Sequence, residues 1–190
     1  LYGLVGNDNI GSERRFAYQT TINGTLTNTT NIPTTATYTV TPSTNTTPSC
    51  LGSSFTVTVT LNPRPRINAK TASICTGGTF AISPVNGSAS DIVPAGTTYR
   101  WTQNSPPGIT GNSNQAVAQS TISQTLTNST NAAINVVYTV TPTSGAAGSC
   151  VGSTFTVTVT VNPTPIINAK SVYVCSGNAL NYTPTSVSGE

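Results

Sequence analysis

Shifted against itself by 100 residues, the sequence superposes without a gap. Cys50 meets Cys150 and Cys75 meets Cys175, and CLGSSFTVTVTLNPRPRINAKTASIC (50–75) faces CVGSTFTVTVTVNPTPIINAKSVYVC (150–175) with 17 of 26 positions identical. LTNTTN (26–31) faces LTNSTN (126–131), and YTVTP (38–42) faces YTVTP (138–142). A solenoid repeats every 20 to 50 residues or so because each turn is one supersecondary unit, so a period this long is one whole domain per repeat.

The register predicts one complete unit over residues 71–163, preceded by the C-terminal part of another over 1–63 and followed by the first strands of a third over 171–190. Segments 64–70 and 164–170 are read as linkers. Asn62-Pro63-Arg64-Pro65 and Asn162-Pro163-Thr164-Pro165 mark their starts, and alternate prolines favour extended polyproline II, a semi-rigid spacer. Two arrangements fit ends cut in mid-domain. The expected one is a window on a longer tandem polypeptide; the alternative is a head-to-tail polymer in which residues 171–190 of one copy add strands to residues 1–63 of the next.

Within the complete unit, apolar and hydroxyl residues alternate, which puts successive side chains on opposite faces of a sheet. Over Ser153–Val161, Phe155, Val157, Val159 and Val161 point one way and Thr154, Thr156, Thr158 and Thr160 the other; Ser53–Leu61 is its twin. Further strands are expected over Thr79–Ser83, Thr97–Thr102, Thr121–Leu126 and Asn135–Thr141. Turn formers separate them at Pro84–Gly87, Pro94–Gly96, Pro106–Gly111, Asn128–Asn131 and Pro142–Gly148. No stretch has helical periodicity. The chain is therefore expected to be all-β, a tandem of Greek-key sandwiches of the immunoglobulin type. Trp101, Tyr138, Phe155, Val157 and Val159 are its expected core.

Four cysteines point to an oxidising location. Between Cys50 and Cys75 lies a strand of about nine residues, roughly 30 Å long, whereas a disulfide needs Cα atoms within about 7 Å. First and last strands of such sandwiches run side by side in parallel, so Cys75 is expected to pair with Cys150. Cys50 and Cys175 would then find partners outside the chain or in a neighbouring copy. A zinc site is disfavoured, since there is no His and no CxxC.

Only 6% of residues are charged, against about 25% in ordinary soluble domains, so Thr, Ser and Asn carry solubility. A net charge of +3 is too small for a surface that tracks phosphates, which argues against nucleic acid. With no His and no Met, the commonest general base and the usual nucleophile pairs are lacking; neither an enzyme nor a bound cofactor or metal is expected. The four carboxylates, Asp8, Glu13, Asp91 and Glu190, are scattered, which disfavours calcium. No apolar run reaches membrane-spanning length in this segment.

A few residues invite a site. Arg14 and Arg15 of the first unit and Arg64 and Arg66 of the linker that follows it are candidate contacts for an anionic surface polysaccharide or a neighbouring chain. Tyr2, Tyr18 and Tyr173 would be stacking platforms if the chain were a glycan-binding array. Lys70 and Lys170 recur and raise a Lys–Asn isopeptide crosslink, but the expected strands of the complete unit offer no carboxylate beside them. Asn23, Asn28, Asn45, Asn86, Asn128 and Asn181 stand in glycosylation sequons.

The strings YTVTPTSGAAGSCVGSTFTVTVTVNPTPII, VPAGTTYRWT, ISQTLTNST and VCSG resemble the PKD-like repeats of giant cell-surface adhesins of Bacteroidetes, the gliding-motility adhesin type in particular. The resemblance spans nearly the whole chain; residues 1–20 depart from it. It implies an extracellular filament at the bacterial cell surface, exported by type nine secretion, with adjacent repeats as its nearest partners. On that reading the chain is a structural stalk for adhesion, with gliding motility as one use; a glycan-binding array and spacer domains of a secreted hydrolase are the alternatives.

Overall fold

The computed structural model describes residues 21–184. Eleven strands follow in order: β1 (Thr34–Val40), β2 (Phe55–Leu61), β3 (Lys70–Cys75), β4 (Thr79–Ile82), β5 (Thr98–Gln103), β6 (Ile109–Thr110), β7 (Gln115–Gln119), β8 (Ile122–Thr125), β9 (Thr127–Asn128), β10 (Ile134–Thr143) and β11 (Phe155–Asn162). One 3-10 turn, Ser88–Ser90, is the sole helical element among the described residues. The architecture is all-β, as the alternation requires.

In the complete unit, β3, β11, β10, β5 and β7 form a five-stranded sheet in that order. The short pair β4–β8 lies against it, with β6–β9 beside that pair. Phe155, Val157, Val159 and Val161 of β11 are all buried, while the threonines between them are intermediate or exposed. They share one core with Phe80, Tyr99, Trp101, Ile122, Leu126, Val136, Tyr138 and Val140. Each Val or Phe taken from water contributes about 1.5–3 kcal/mol, so the inward face of β11 alone outweighs any single polar contact in the unit. Phe80 packs on Tyr138 with ring centroids 5.2 Å apart, and Tyr99 meets Phe155 edge-on at 6.4 Å. The polar ends of the buried aromatics are satisfied: Tyr138 Oη donates to Gln124 Oε1 at 2.9 Å and Trp101 Nε1 to the Ser113 carbonyl at 3.2 Å.

The β1–β2 hairpin reproduces β10–β11. Thr34 opposite Leu61 through Val40 opposite Phe55 becomes Ile134 opposite Val161 through Val140 opposite Phe155. Even the closing loops match, since Gly52 N–H donates to the Pro42 carbonyl and Gly152 N–H to that of Pro142. What differs is burial. Phe55 is 49% exposed where Phe155 is 5%, because among the described residues β2 has no β3-like neighbour and no facing β4–β8 pair.

The short strands β4 and β8 fall where Thr79–Ser83 and Thr121–Leu126 are expected, whereas β6, β7 and β9 have no expected counterpart. β7, Gln-Ala-Val-Ala-Gln, is an edge strand whose Val117 is 69% exposed, so it carries little apolar alternation, and β6 and β9 are two residues each.

Candidate functional site: the junction between repeats

Residues 64–70, expected to form a semi-rigid linker, are built into the complete unit. Pro63, Pro65 and Ile67 are buried while Arg64 and Arg66 are exposed, an alternation that prolines, with φ fixed and no N–H to satisfy, tolerate in extended chain. Arg66 and Ile92 exchange backbone hydrogen bonds at 3.0 and 2.8 Å, and Ile67 joins the core. The corresponding segment after β11 shows what this docking changes. Ile67 is 6% exposed and Ile167 57%, and Pro165 is exposed where Pro65 is buried.

Two glycines allow the close approach. A Cβ on Gly152 would collide with the Pro65 carbonyl oxygen, so the loop before β11 lies flat against the incoming chain. Gly148, at φ +87°, turns the same loop toward the end of the first unit, and a Cβ there would sit 3.4 Å from Asn62 Nδ2. The loop of residues 144–152 therefore touches both the exit of one repeat and the entry of the next.

A buried ion pair locks the entry strand. Asp91 has no exposed side-chain surface; its Oδ1 accepts from Asn68 N–H at 2.8 Å, and its Oδ2 lies 2.6 Å from Lys70 Nζ. The strands offer Lys70 no carboxylate; Asp91 comes from the loop after the 3-10 turn, which Asn68 also grips by donating Nδ2 to the Ala89 carbonyl at 2.6 Å. The Asp91 charge, after burial itself, helps push the Tyr99 hydroxyl up to about 12. Burial alone raises Tyr138 further in the same direction.

The cysteines correct the sequence reading. Parallel pairing of β3 with β11 does place first and last strands side by side, but it aligns start with start: Lys70 lies opposite Val157 and Cys75 opposite Asn162. Cys75 is therefore at the exit end of β11. Cys150 precedes the entry end, held in the loop where Ser144 N–H donates to its carbonyl at 2.9 Å. Seven residues of β11, about 23 Å at strand rise, separate those ends, so Cys75 cannot reach Cys150 within a unit. All four cysteines are free.

The other expected residues fall as follows. Trp101, Tyr138, Phe155, Val157 and Val159 lie together in one core. Arg64 and Arg66 share the exposed side of the docked segment, whereas Arg14 and Arg15, like Tyr2 and Tyr18, lie outside the described residues. Tyr173 is 94% exposed. Asn128, read as a turn former and as a sequon, is a structural bracket. Buried, it donates Nδ2 to the Ala132 and Val161 carbonyls at 2.7 and 2.9 Å and accepts from Thr130 N–H and Oγ1. Asn28 makes the equivalent four bonds to Ile32, Leu61 and Thr30. The recurrence of LTN(T/S)TN was the available signal.

No helix among the described residues is long and apolar enough to cross a membrane. A comparison with curated proteins gives no match. The family profile described as PKD-like domain matches twice, over residues 5–65 and 72–165, bracketing the two hairpins and the junction between them. Covered over most of its length by these two matches, the chain belongs to the PKD-like domain family.

Proposed function

We propose that the chain is a stalk segment of a long extracellular adhesive protein, whose repeats set reach and orientation while binding resides elsewhere on the same polypeptide. The observation that carries this reading is the docked junction: Pro63, Pro65 and Ile67 are buried against the following unit, so successive repeats are held in a defined relation and not strung on a free tether. The composition agrees with it, because a surface of Thr, Ser and Asn with 6% charge offers no clustered chemistry for catalysis. Placement at a bacterial surface, with a role in adhesion or gliding, rests on the resemblance of the repeat strings to giant adhesins.

The aromatic residues favour the stalk over a glycan-binding array. In the complete unit Tyr99, Trp101 and Tyr138 are buried and present no ring face to a sugar. Tyr173 and Tyr182 are exposed; they correspond to exposed Ser73 and half-buried Ile82 of the complete unit, so Tyr173 is the one aromatic whose counterpart position also faces outward. Arg64 and Arg66 remain the residues best placed to touch an anionic polysaccharide.

The reading is tested by small-angle scattering on proteins carrying increasing numbers of these repeats. A stalk gives a maximum dimension that grows linearly with repeat number. Growth close to the square root of that number would mean freely jointed beads and would remove the support. Antibody labelling of intact cells of the source, with and without permeabilisation, tests the surface location separately.

A further inference from the structure

The asparagine that ends each repeat is a common neighbour of two cysteines that belong to different repeats. Asn162 lies opposite Cys75 in the parallel pair, on adjacent strands about 4.8 Å apart, and its Nδ2 donates to Ser73 Oγ at 2.9 Å and the Ile74 carbonyl at 3.4 Å. Asn62 holds the same place in the preceding repeat, and its Nδ2 lies against Gly148, two residues before Cys150. One end of the asparagine's surroundings thus contains the cysteine that closes its own repeat's first strand. The other contains the loop cysteine of the next repeat.

We infer that each junction is a disulfide site, joining the cysteine at the end of the first strand of one repeat to the loop cysteine of the repeat that follows. In this numbering Cys75 pairs with the counterpart of Cys150 one repeat on, and Cys150 pairs with the counterpart of Cys75 one repeat back. Neither partner is among the residues of this chain. Cys75 is exposed and Cys150 partly so, so both can reach an oxidant.

The bond forms by exchange with an external disulfide, either a small-molecule disulfide or an oxidoreductase. One cysteine thiolate attacks it, releasing one thiol and leaving a mixed disulfide. The second thiolate displaces the other thiol and closes the protein bond. Two protein thiols lose two protons and two electrons, and the external disulfide is reduced to two thiols. The inference rests on the stalk reading only for the oxidising compartment; the pairing itself is a matter of junction geometry.

The test is the full chain with residues 71–170 duplicated in tandem, which continues the 100-residue register and supplies one new junction. After equilibration in a glutathione redox buffer, non-reducing peptide mapping should show a bond between Cys75 of the first copy and Cys150 of the second. The other four cysteines should remain alkylatable. Cys75→Ser in the first copy, or Cys150→Ser in the second, should abolish the bond, and Cys150→Ser in the first copy should leave it intact. A bond between Cys75 and Cys150 of one copy, or six free thiols in a protein with a cooperative melt, overturns the pairing. Should the duplicated protein fail to fold, the unmodified chain still decides: under the same buffer it must form no intramolecular disulfide, and finding one refutes the scheme. A confirmed junction bond on a protein found not to be exported would instead sink the stalk reading and leave the geometry standing.

Discussion

Removing Lys70 should be costly because it strands a fully buried carboxylate. Its ammonium lies 2.6 Å from Asp91 Oδ2, and the Asp91 carboxylate has no solvent exposure and one further donor, Asn68 N–H. Lys70→Met keeps most of the aliphatic stem but leaves a buried carboxylate with that single hydrogen bond. Removing one partner of a buried pair costs about 3–5 kcal/mol. In a unit of this size each kcal/mol shifts the melting temperature by about 4–8 °C, so the transition of the complete unit should fall by at least about 12 °C. Replacing both groups, as Lys70→Met with Asp91→Leu, removes the stranded charge as well as the attraction. The double variant should therefore recover most of the loss, since apolar replacement of a buried pair is often close to neutral. Thermal melts of the four proteins followed by circular dichroism at 218 nm or so, analysed as a double-mutant cycle, give the coupling directly. A loss below about 1 kcal/mol for Lys70→Met, or a double variant as unstable as the single one, would refute the claim that the pair is desolvated.

Gly152→Ala drives a methyl into the Pro65 carbonyl and should loosen the junction, seen as faster tryptic cleavage after Arg66 with little change in the melt. Tyr99 should make stability fall at high pH. Its hydroxyl is neutral in the folded unit up to about 12, whereas the unfolded chain ionises near 10. Its contribution is thus complete below pH 10 and lost between 10 and 12; Tyr99→Phe should make that part of a pH-dependent melt less steep, with buried Tyr138 supplying the remaining slope. Asn128→Ala strands the Ala132 and Val161 carbonyls and should cost about 2–3 kcal/mol in denaturant titrations. Because both Nδ2 hydrogens of Asn128 are engaged and the residue is buried, mass spectrometry of the folded protein exposed to an oligosaccharyltransferase should find this sequon unmodified.

The long strands were legible because their signal is local. Eight residues of β11 announce both conformation and facing, and the same period marks β2 and β10. Contacts between distant segments leave no such trace. Asp91 is a lone acid with nothing in its neighbourhood to predict burial, and only the fold brings it to Lys70. The cysteines show how a correct topology can still mislead. Side-by-side first and last strands were anticipated, yet a disulfide depends on which ends of those strands the cysteines occupy, and parallel alignment puts them at opposite ends. The docking of residues 63–67 was hidden for a different reason. Proline alternation reads equally well as a free spacer or as a segment with one face covered, and the choice is made by Ile92 and Gly152, both remote in sequence.

Parallel pairing of β3 with β11 also decides how a repeat responds to tension. The chain enters a unit at the start of β3 and leaves at the end of β11, so a pull applied to the two ends of the unit drags these strands in opposite directions along their common axis. Six residue pairs, from Lys70 opposite Val157 to Cys75 opposite Asn162, are then strained in shear together, and none can be peeled away singly. A unit so clamped should yield at high force in one event, its sheet opening only when all six pairs part together.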